Sequence, residues 1–225
     1  MTVLRLLSKK ALLKLVTCIA LSLGAHSSYA NAILNGDFET NTASGTLFNM
    51  SNASFSSVVS SATAFGGAQE IDLVTGAGFG ITPQSGSWKL GIHTQTSGIF
   101  DAFSLTLSSA LVSGNSYALQ FFVAQYSGYS SSVDIGVSSS ATGFGTLLFS
   151  ASGLNPNAWT QINQTFTAPI NATFLTVRSG QPNGVYSFVD NFSLDSANVV
   201  PEPASLALLG IGLAGLGAIR RRKTV

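Results

Sequence analysis

Between Ile33 and Asp195 the chain runs in short stretches of alternating apolar and polar residues, separated by Gly, Ser, Thr and Asn. A period of two predicts strands, and no helix-length pattern of period 3.6 interrupts it. Tyr117, Leu119, Phe121 and Val123 share one parity, as do Val133, Ile135 and Val137. The runs predict strands over residues 54–59, 69–74, 88–93, 99–107, 116–124, 133–138, 145–150, 159–166, 173–178 and 186–194. Short strands with one apolar face predict an all-β fold, a two-sheet β-sandwich whose inner faces make the core. Residues 65–86, rich in Gly, read as a long loop near one end of it. In the last strand Tyr186, Phe188, Asp190, Phe192 and Leu194 share a parity, which puts the Asp190 carboxylate on the core side. A carboxylate alone there is costly.

The two ends of the chain follow other patterns. Arg5, Lys9, Lys10 and Lys14 precede the apolar stretch Leu15 to Leu23, and small residues follow at Ser28, Ala30 and Ala32. This is the order of a secretory signal peptide cut by signal peptidase after Ala30 or Ala32. At the other end Pro201-Glu202-Pro203 leads into an uncharged run from Ala204 to Ile219, then Arg220-Arg221-Arg222-Lys223. As a helix that run reaches roughly 24 Å, a marginal transmembrane helix for a bilayer core of about 30 Å. Its basic end is expected on the cytoplasmic side. The sequence therefore divides into a signal peptide (1–30), a β-sandwich domain (31–198) and a C-terminal tail (199–225).

Setting the ends aside changes the meaning of the charge. The whole chain carries a formal +1, but between Asn31 and Val200 only Lys89 and Arg178 stand against eight acidic residues, a net of −6. An acidic domain without a basic stripe excludes nucleic acid as a partner. The single cysteine, Cys18, lies in the signal peptide, so the exported domain has neither disulfide nor thiol chemistry.

The tail resembles the PEP-CTERM sorting signal in the order and spacing of its parts and in the literal Pro-Glu-Pro. The resemblance implies an exosortase-type membrane protease as partner, transient anchoring in the inner membrane, and delivery to the cell surface or extracellular matrix of a Gram-negative bacterium. Pro201, Glu202, Pro203, Arg220, Arg221 and Arg222 are the sorting and processing residues it implies. The domain has its own resemblance. Leu34-Asn35-Gly36-Asp37-Phe38-Glu39, Gly86-Ser87-Trp88-Lys89-Leu90, the stretch Leu111 to Phe121, Trp159-Thr160 with Phe166 to Pro169, and Phe188 to Leu194 occur in the order of the galactose-binding-like jelly roll, the fold of many carbohydrate-binding modules.

That fold serves sugar binding, adhesion and structural roles, so function must come from the site. The resemblance implies a structural Ca2+ between Glu39 and Asp190, with Asp37 beside them, and the shortage of basic partners agrees with a hard cation on oxygen ligands. Tyr126 and Tyr129, in the loop 125–132, and more distantly Trp88 and Tyr186, are the aromatic candidates for stacking on a sugar ring of a polysaccharide. Trp159 reads as packing. No catalytic residues are expected. His93 has neither a second histidine nor a thiol to work with and reads as a strand-surface residue, and the pair Glu70 and Asp72 reads as a solvated strand face, although their spacing also suits a glycosidase. The expected function is that of a non-enzymatic surface or matrix protein associated with exopolysaccharide, with a defined sugar ligand as the alternative and a glycoside-active enzyme as a remote one.

The tail generates a direct test. The intact mass of the protein recovered from the cell surface is expected to end near Pro201 and to lack Arg220 to Lys223; a surface form with the complete tail would mean a permanent anchor.

Overall fold

The alternating residues Tyr117, Leu119, Phe121 and Val123 lie in a ten-residue strand that buries all four against the opposite sheet. Its neighbours do the same, and the result is the two-sheet antiparallel sandwich that the alternation predicts. The computed structural model describes residues 31–152, 155–180 and 184–197. The expected signal peptide and C-terminal transmembrane helix, and the sorting residues Pro201, Glu202, Pro203, Arg220, Arg221 and Arg222, lie outside the described residues. Among the described residues no helix is long and apolar enough to cross a membrane.

The strands are β1 (Leu47–Met50), β2 (Ala62–Ala64), β3 (Ile71–Thr75), β4 (Trp88–Thr94), β5 (Ala102–Leu111), β6 (Ser116–Gln125), β7 (Ser132–Ser138), β8 (Thr146–Ser152), β9 (Thr160–Thr167), β10 (Ala172–Ser179) and β11 (Val185–Ser196). One sheet has six strands in the order β1-β3-β4-β11-β6-β9, the other five in the order β2-β5-β10-β7-β8. The core between them is aromatic: Phe38 meets Phe103 and Phe192 edge-on, each at 6.1 Å between ring centres, and Phe192 stacks on Phe121 at 4.9 Å.

Residues 54–59 are not a strand. Asn52–Val58 form a short helix, α1, whose cap Ser51 accepts the Ser54 N–H at 3.2 Å. Phe55 and Val59, four apart, both turn inward, and Phe55 packs against Phe103 at 5.8 Å. Six residues of mixed polarity fit either period, and the serine cap together with burial of Phe55 decides for the helix. β1 and β2, of four and three residues, are too short to leave a period in the sequence.

The largest departure from the alternation is in β11. Pairing with β6 slips between Asp190 and Ser193, and Asn191 adopts a left-handed conformation at φ 52°. This is a β-bulge, which inserts one residue and reverses the parity of the residues beyond it. Val189, Phe192 and Leu194 therefore face the sandwich core, while Tyr186 and Phe188 belong to a second apolar cluster on the outer face of the six-stranded sheet. Asp190 shares their parity, so its carboxylate points away from the sandwich core, contrary to the uninterrupted alternation. The N-terminal segment locks the bulge: the Phe192 N–H donates to the Gly36 carbonyl at 2.9 Å, and Asn31 bonds Phe192 and Leu194. Any Cβ at Gly36 would collide with the Phe192 carbonyl.

Deleting Asn191 is expected to abolish cooperative unfolding, because it would drive either Asp190 or Phe192 to the wrong side of the sheet. Asn191→Gly, which keeps the left-handed geometry, is expected to unfold cooperatively. Thermal melts followed by circular dichroism check both.

Candidate functional site

On the outer face of the six-stranded sheet stand the odd-numbered residues of β4, namely Lys89, Gly91 and His93, beside Asp72 of β3 and Tyr186, Phe188 and Asp190 of β11. Gly91 lies opposite both Asp72 and Phe188 in the ladder, and a Cβ there would strike the Tyr186 ring and hydroxyl. The glycine opens a passage through which the Tyr186 hydroxyl donates to Asp72 Oδ2. Asp72 Oδ1 accepts the Asn49 N–H at 2.7 Å. Burial raises the Asp72 pKa against the opposing pull of these two bonds, and burial, then the neighbouring Asp72, raises that of Tyr186. Tyr186 accordingly stays protonated as the donor.

Of the stretch 65–86, expected as a long loop near one end of the sandwich, the later part, continuing to residue 87, lies across this face. A single 3₁₀ turn at Gly78–Gly80 holds Phe79 at φ 60°, where its ring packs on Tyr126, Tyr186 and Phe188 at 5.2 to 5.7 Å. Side chains beneath and beside it tie the segment down. Asp190 Oδ2 accepts the N–H groups of Gln84 and Ser85 at 2.8 and 3.1 Å, Trp159 Nε1 donates to the Thr82 carbonyl at 2.8 Å, and Lys89 Nζ donates to the Gly76 carbonyl at 3.2 Å. Lys89 and Asp190 are both fully buried beneath it. Burial lowers the Lys89 pKa to about 8, with Asp190 opposing, and raises that of Asp190 to about 7 against three backbone N–H donors.

Beside this strap opens a cleft of about 310 Å³ lined by Phe48, Asn49, Glu70, Asp72, Phe79, His93, Tyr129 and Tyr186. Phe48 and Tyr129 are 59% and 41% exposed, so ring faces are open to solvent. Tyr126 stacks behind Tyr129 at 5.6 Å, and Gln125 bonds the Tyr129 carbonyl. His93 Nδ1 and Glu70 Oε2 are 2.9 Å apart. Behind them the buried Asp101 accepts the backbone N–H of Glu70 at 2.8 Å and of His93 at 2.9 Å, with its pKa raised to about 6 by burial. A smaller polar cavity of about 190 Å³, lined by Gln120, Asn163, Ser193 and Asp195 among others, has no aromatic wall.

Of the residues singled out in the sequence, Tyr129 and Tyr186 line the cleft and Tyr126 backs it. Trp88 does not take part: its parity turns it to the other face, where it packs against the sandwich core, half-buried. Trp159 packs on the outer cluster and anchors the strap. His93, Glu70 and Asp72 are not a bare strand surface but one wall of the cleft. Phe48, Asn49 and Phe79 come from segments without period, and nothing in the sequence marks them. The alternation of β3 and β4 does contain the signal for the acid and histidine, since Glu70, Asp72 and His93 share a face once the two strands pair.

Glu39 and Asp190 occupy a different corner. Glu39 Oε1 accepts the N–H groups of Ser87 and Trp88 at 2.7 and 2.8 Å, Asp190 Oδ1 accepts that of Asn191 at 2.7 Å, and Asp37 Oδ1 lies 3.4 Å from the Glu39 nitrogen. Arg178 is bound elsewhere, to Asp134 at 2.9 Å on the second sheet. Among the described residues no three acidic, histidine or cysteine side chains converge on one point. Backbone N–H groups thus bond both Glu39 and Asp190. Calcium at Asp37, Glu39 and Asp190 stays a proposal in which the ion shares these oxygens with the amides.

Residues 199–223 match the model of the PEP-CTERM protein-sorting motif, which marks the chain for export and sorting to the cell surface. No curated protein matches the chain. Solved structures that resemble it include carbohydrate-binding jelly-roll domains. The tandem CBM22-1–CBM22-2 domain of Paenibacillus barcinonensis Xyn10C shares 15% identity at a TM-score of 0.47 over 80% of this chain, which spans 49% of that one. TmCBM61 in complex with β-1,4-galactotriose shares 17% at 0.41 over 74% of this chain and 99% of that one. The cleaved adhesin domain of Lys-gingipain from Porphyromonas gingivalis shares 15% at 0.47 over 68% and 98%.

The buried charges set an unusual pH dependence. A carboxyl whose folded pKa is raised binds a proton in the folded chain that the unfolded chain has already lost, so stability falls as pH rises from the unfolded value of 3.8 to about 7 for Asp190 and about 6 for Asp101. For Lys89 the folded chain loses its proton first, and stability rises between about 8 and 10.5. The melting temperature is expected to be higher at pH 5 than at pH 7.5. Asp190→Asn is expected to flatten the slope above pH 6 while leaving the share of Asp101; equal slopes in the two proteins would refute this origin.

Proposed function

We propose that this is an exported, surface-sorted protein that binds a carbohydrate, without catalysis, in the cleft between β3, β4, β11 and the strap. One observation carries the reading: Phe48, Phe79, Tyr129 and Tyr186 surround a cavity that also presents Glu70, Asp72, Asn49 and His93. Sugar rings offer apolar C–H faces to aromatic rings and hydroxyls to carboxylates and amides, and this lining meets both needs. Its volume lies at the low end of small-molecule sites and suits one or two sugar units.

The floor is also prepared before any ligand arrives. Tyr186 is held by Asp72, the strap is pinned by Asp190, Lys89 and Trp159, and Tyr129 leans on Tyr126. Groups fixed in advance lose little freedom on binding. The same fixing argues against hydrolysis. Both oxygens of Asp72 already accept hydrogen bonds, so it is not free to act as the partner of Glu70 across a scissile bond. The sorting tail supports placement of this site at the cell surface, where polysaccharide is the abundant ligand; removal of the tail by an exosortase-type protease belongs to the same proposal.

A glycan array on the full-length chain in mild detergent is expected to return a restricted set of oligosaccharides. Tyr129→Ala is expected to weaken that binding at least about tenfold, as loss of a central aromatic contact does. An array without any bound glycan would overturn the reading.

A further inference from the structure

Charge decides which sugars this cleft accepts. Glu70 Oε2 is bonded to His93, and Oε1 has no protein partner among the described residues. Asp72 stands on the same face two residues away. Neither basic residue of the described chain can reach a ligand there. Lys89 is fully buried with its ammonium on the Gly76 carbonyl and over the Phe188 ring at 5.4 Å. Arg178 lies on the other sheet, bound to Asp134 and stacked on Phe144 at 4.1 Å. An anionic sugar would bring its carboxylate or sulfate against Glu70, with neither Lys89 nor Arg178 in reach and only the His93 ring, already paired with Glu70, to offset the repulsion.

A cation meets the opposite situation. Phe48, Phe79, Tyr129 and Tyr186 wall the same cavity as Glu70, and the faces of aromatic rings attract ammonium groups. An ammonium on the free carboxylate oxygen adds the attraction of opposite charges to the hydrogen bond that a neutral hydroxyl also makes there. The net negative charge of the domain adds a long-range field of the same sign.

We infer that the cleft selects glycans carrying free amino groups, such as glucosamine-containing polysaccharide, with Glu70 as the residue that sets this preference. The inference rests on the carbohydrate reading above and narrows it to a cationic ligand. Aromatic stacking holds the ring, and the Glu70 carboxylate reads the substituent beside it.

Three β-1,4-linked tetramers differ only at carbon 2: cellotetraose bears a hydroxyl, chitotetraose an acetamide, and the glucosamine tetramer an ammonium when protonated. Calorimetry on the full-length chain in mild detergent, at a pH where the amines are protonated, compares them with tetragalacturonate as the anionic probe. The glucosamine tetramer is expected to bind at least about tenfold more tightly than cellotetraose, a margin of about 1.4 kcal/mol. The margin is expected to shrink as salt is added, since the carboxylate is partly exposed. Tetragalacturonate is expected not to bind. Glu70→Gln is expected to erase the ratio between the glucosamine tetramer and cellotetraose, whereas Asp134→Asn, which removes an equal charge on the other sheet, is expected to preserve it. Equal affinity for all three β-1,4 tetramers, or a ratio that survives Glu70→Gln, would overturn the preference and leave carbohydrate binding standing. Absence of binding to every probe and to the array would overturn both.

Discussion

One residue in a left-handed conformation divides the labour of the last strand. β11 runs through the middle of the six-stranded sheet, and its two halves serve different cores because Asn191 adds half a pleat between them. Before the bulge, Tyr186, Phe188 and Asp190 build the outer face; after it, Phe192 and Leu194 complete the sandwich. A regular strand of this sequence would have had to bury Asp190 in the sandwich core or expose Phe192. The close approach of Gly36 to the Phe192 carbonyl ties the start of the domain to the same point, so the bulge is fixed from both ends of the chain.

The outer face then needs a cover, and the strap over it is held by charge rather than by apolar contact alone. Asp190 serves as a local anion for backbone N–H groups that a loop would otherwise leave unpaired, while Lys89 serves as a donor for a carbonyl. Among the described residues neither group meets a partner in a direct ion pair. Their pKa values move toward neutrality from opposite sides because both are desolvated. An arrangement of this kind costs stability near neutral pH and in return fixes the position of Phe79, and with it one wall of the cleft. Order in the cleft is thus secured by groups that do not line it.

The cleft joins two chemistries that are individually common on protein surfaces. Aromatic rings in a row and a pair of carboxylates on a strand are each ordinary; here they meet in one cavity that neither Lys89 nor Arg178 enters, which is the arrangement the proposed carbohydrate ligand would require. The sorting motif at residues 199–223 supplies the setting in which such a ligand is met. The sorting motif and the proposed recognition surface lie in separate stretches of the chain, one a linear signal and the other a cleft assembled from several strands, a loop and a strap.

By itself the sequence determined what depends on local pattern: the C-terminal sorting motif, an acidic stretch without cysteine between Asn31 and Val200, a sandwich of short strands, and most of their positions. Strand period survives in a single sequence because each pleat puts alternate side chains on opposite faces. The helix at Asn52–Val58 was not legible, since six residues satisfy both periods, nor were β1 and β2, which are shorter than one clear repeat. Tyr129 and Tyr186 could be suspected as exposed aromatics, but Trp88 carries the same composition signal and lies on the other face. Only the tertiary structure decided which carboxylates share a cavity, that backbone amides satisfy Glu39 and Asp190, and that Phe48 and Phe79 close the cleft. The physical reason is that these contacts join segments tens of residues apart through a register and a bulge, and a one-residue shift, invisible in the alternation, changes the face on which every later side chain stands.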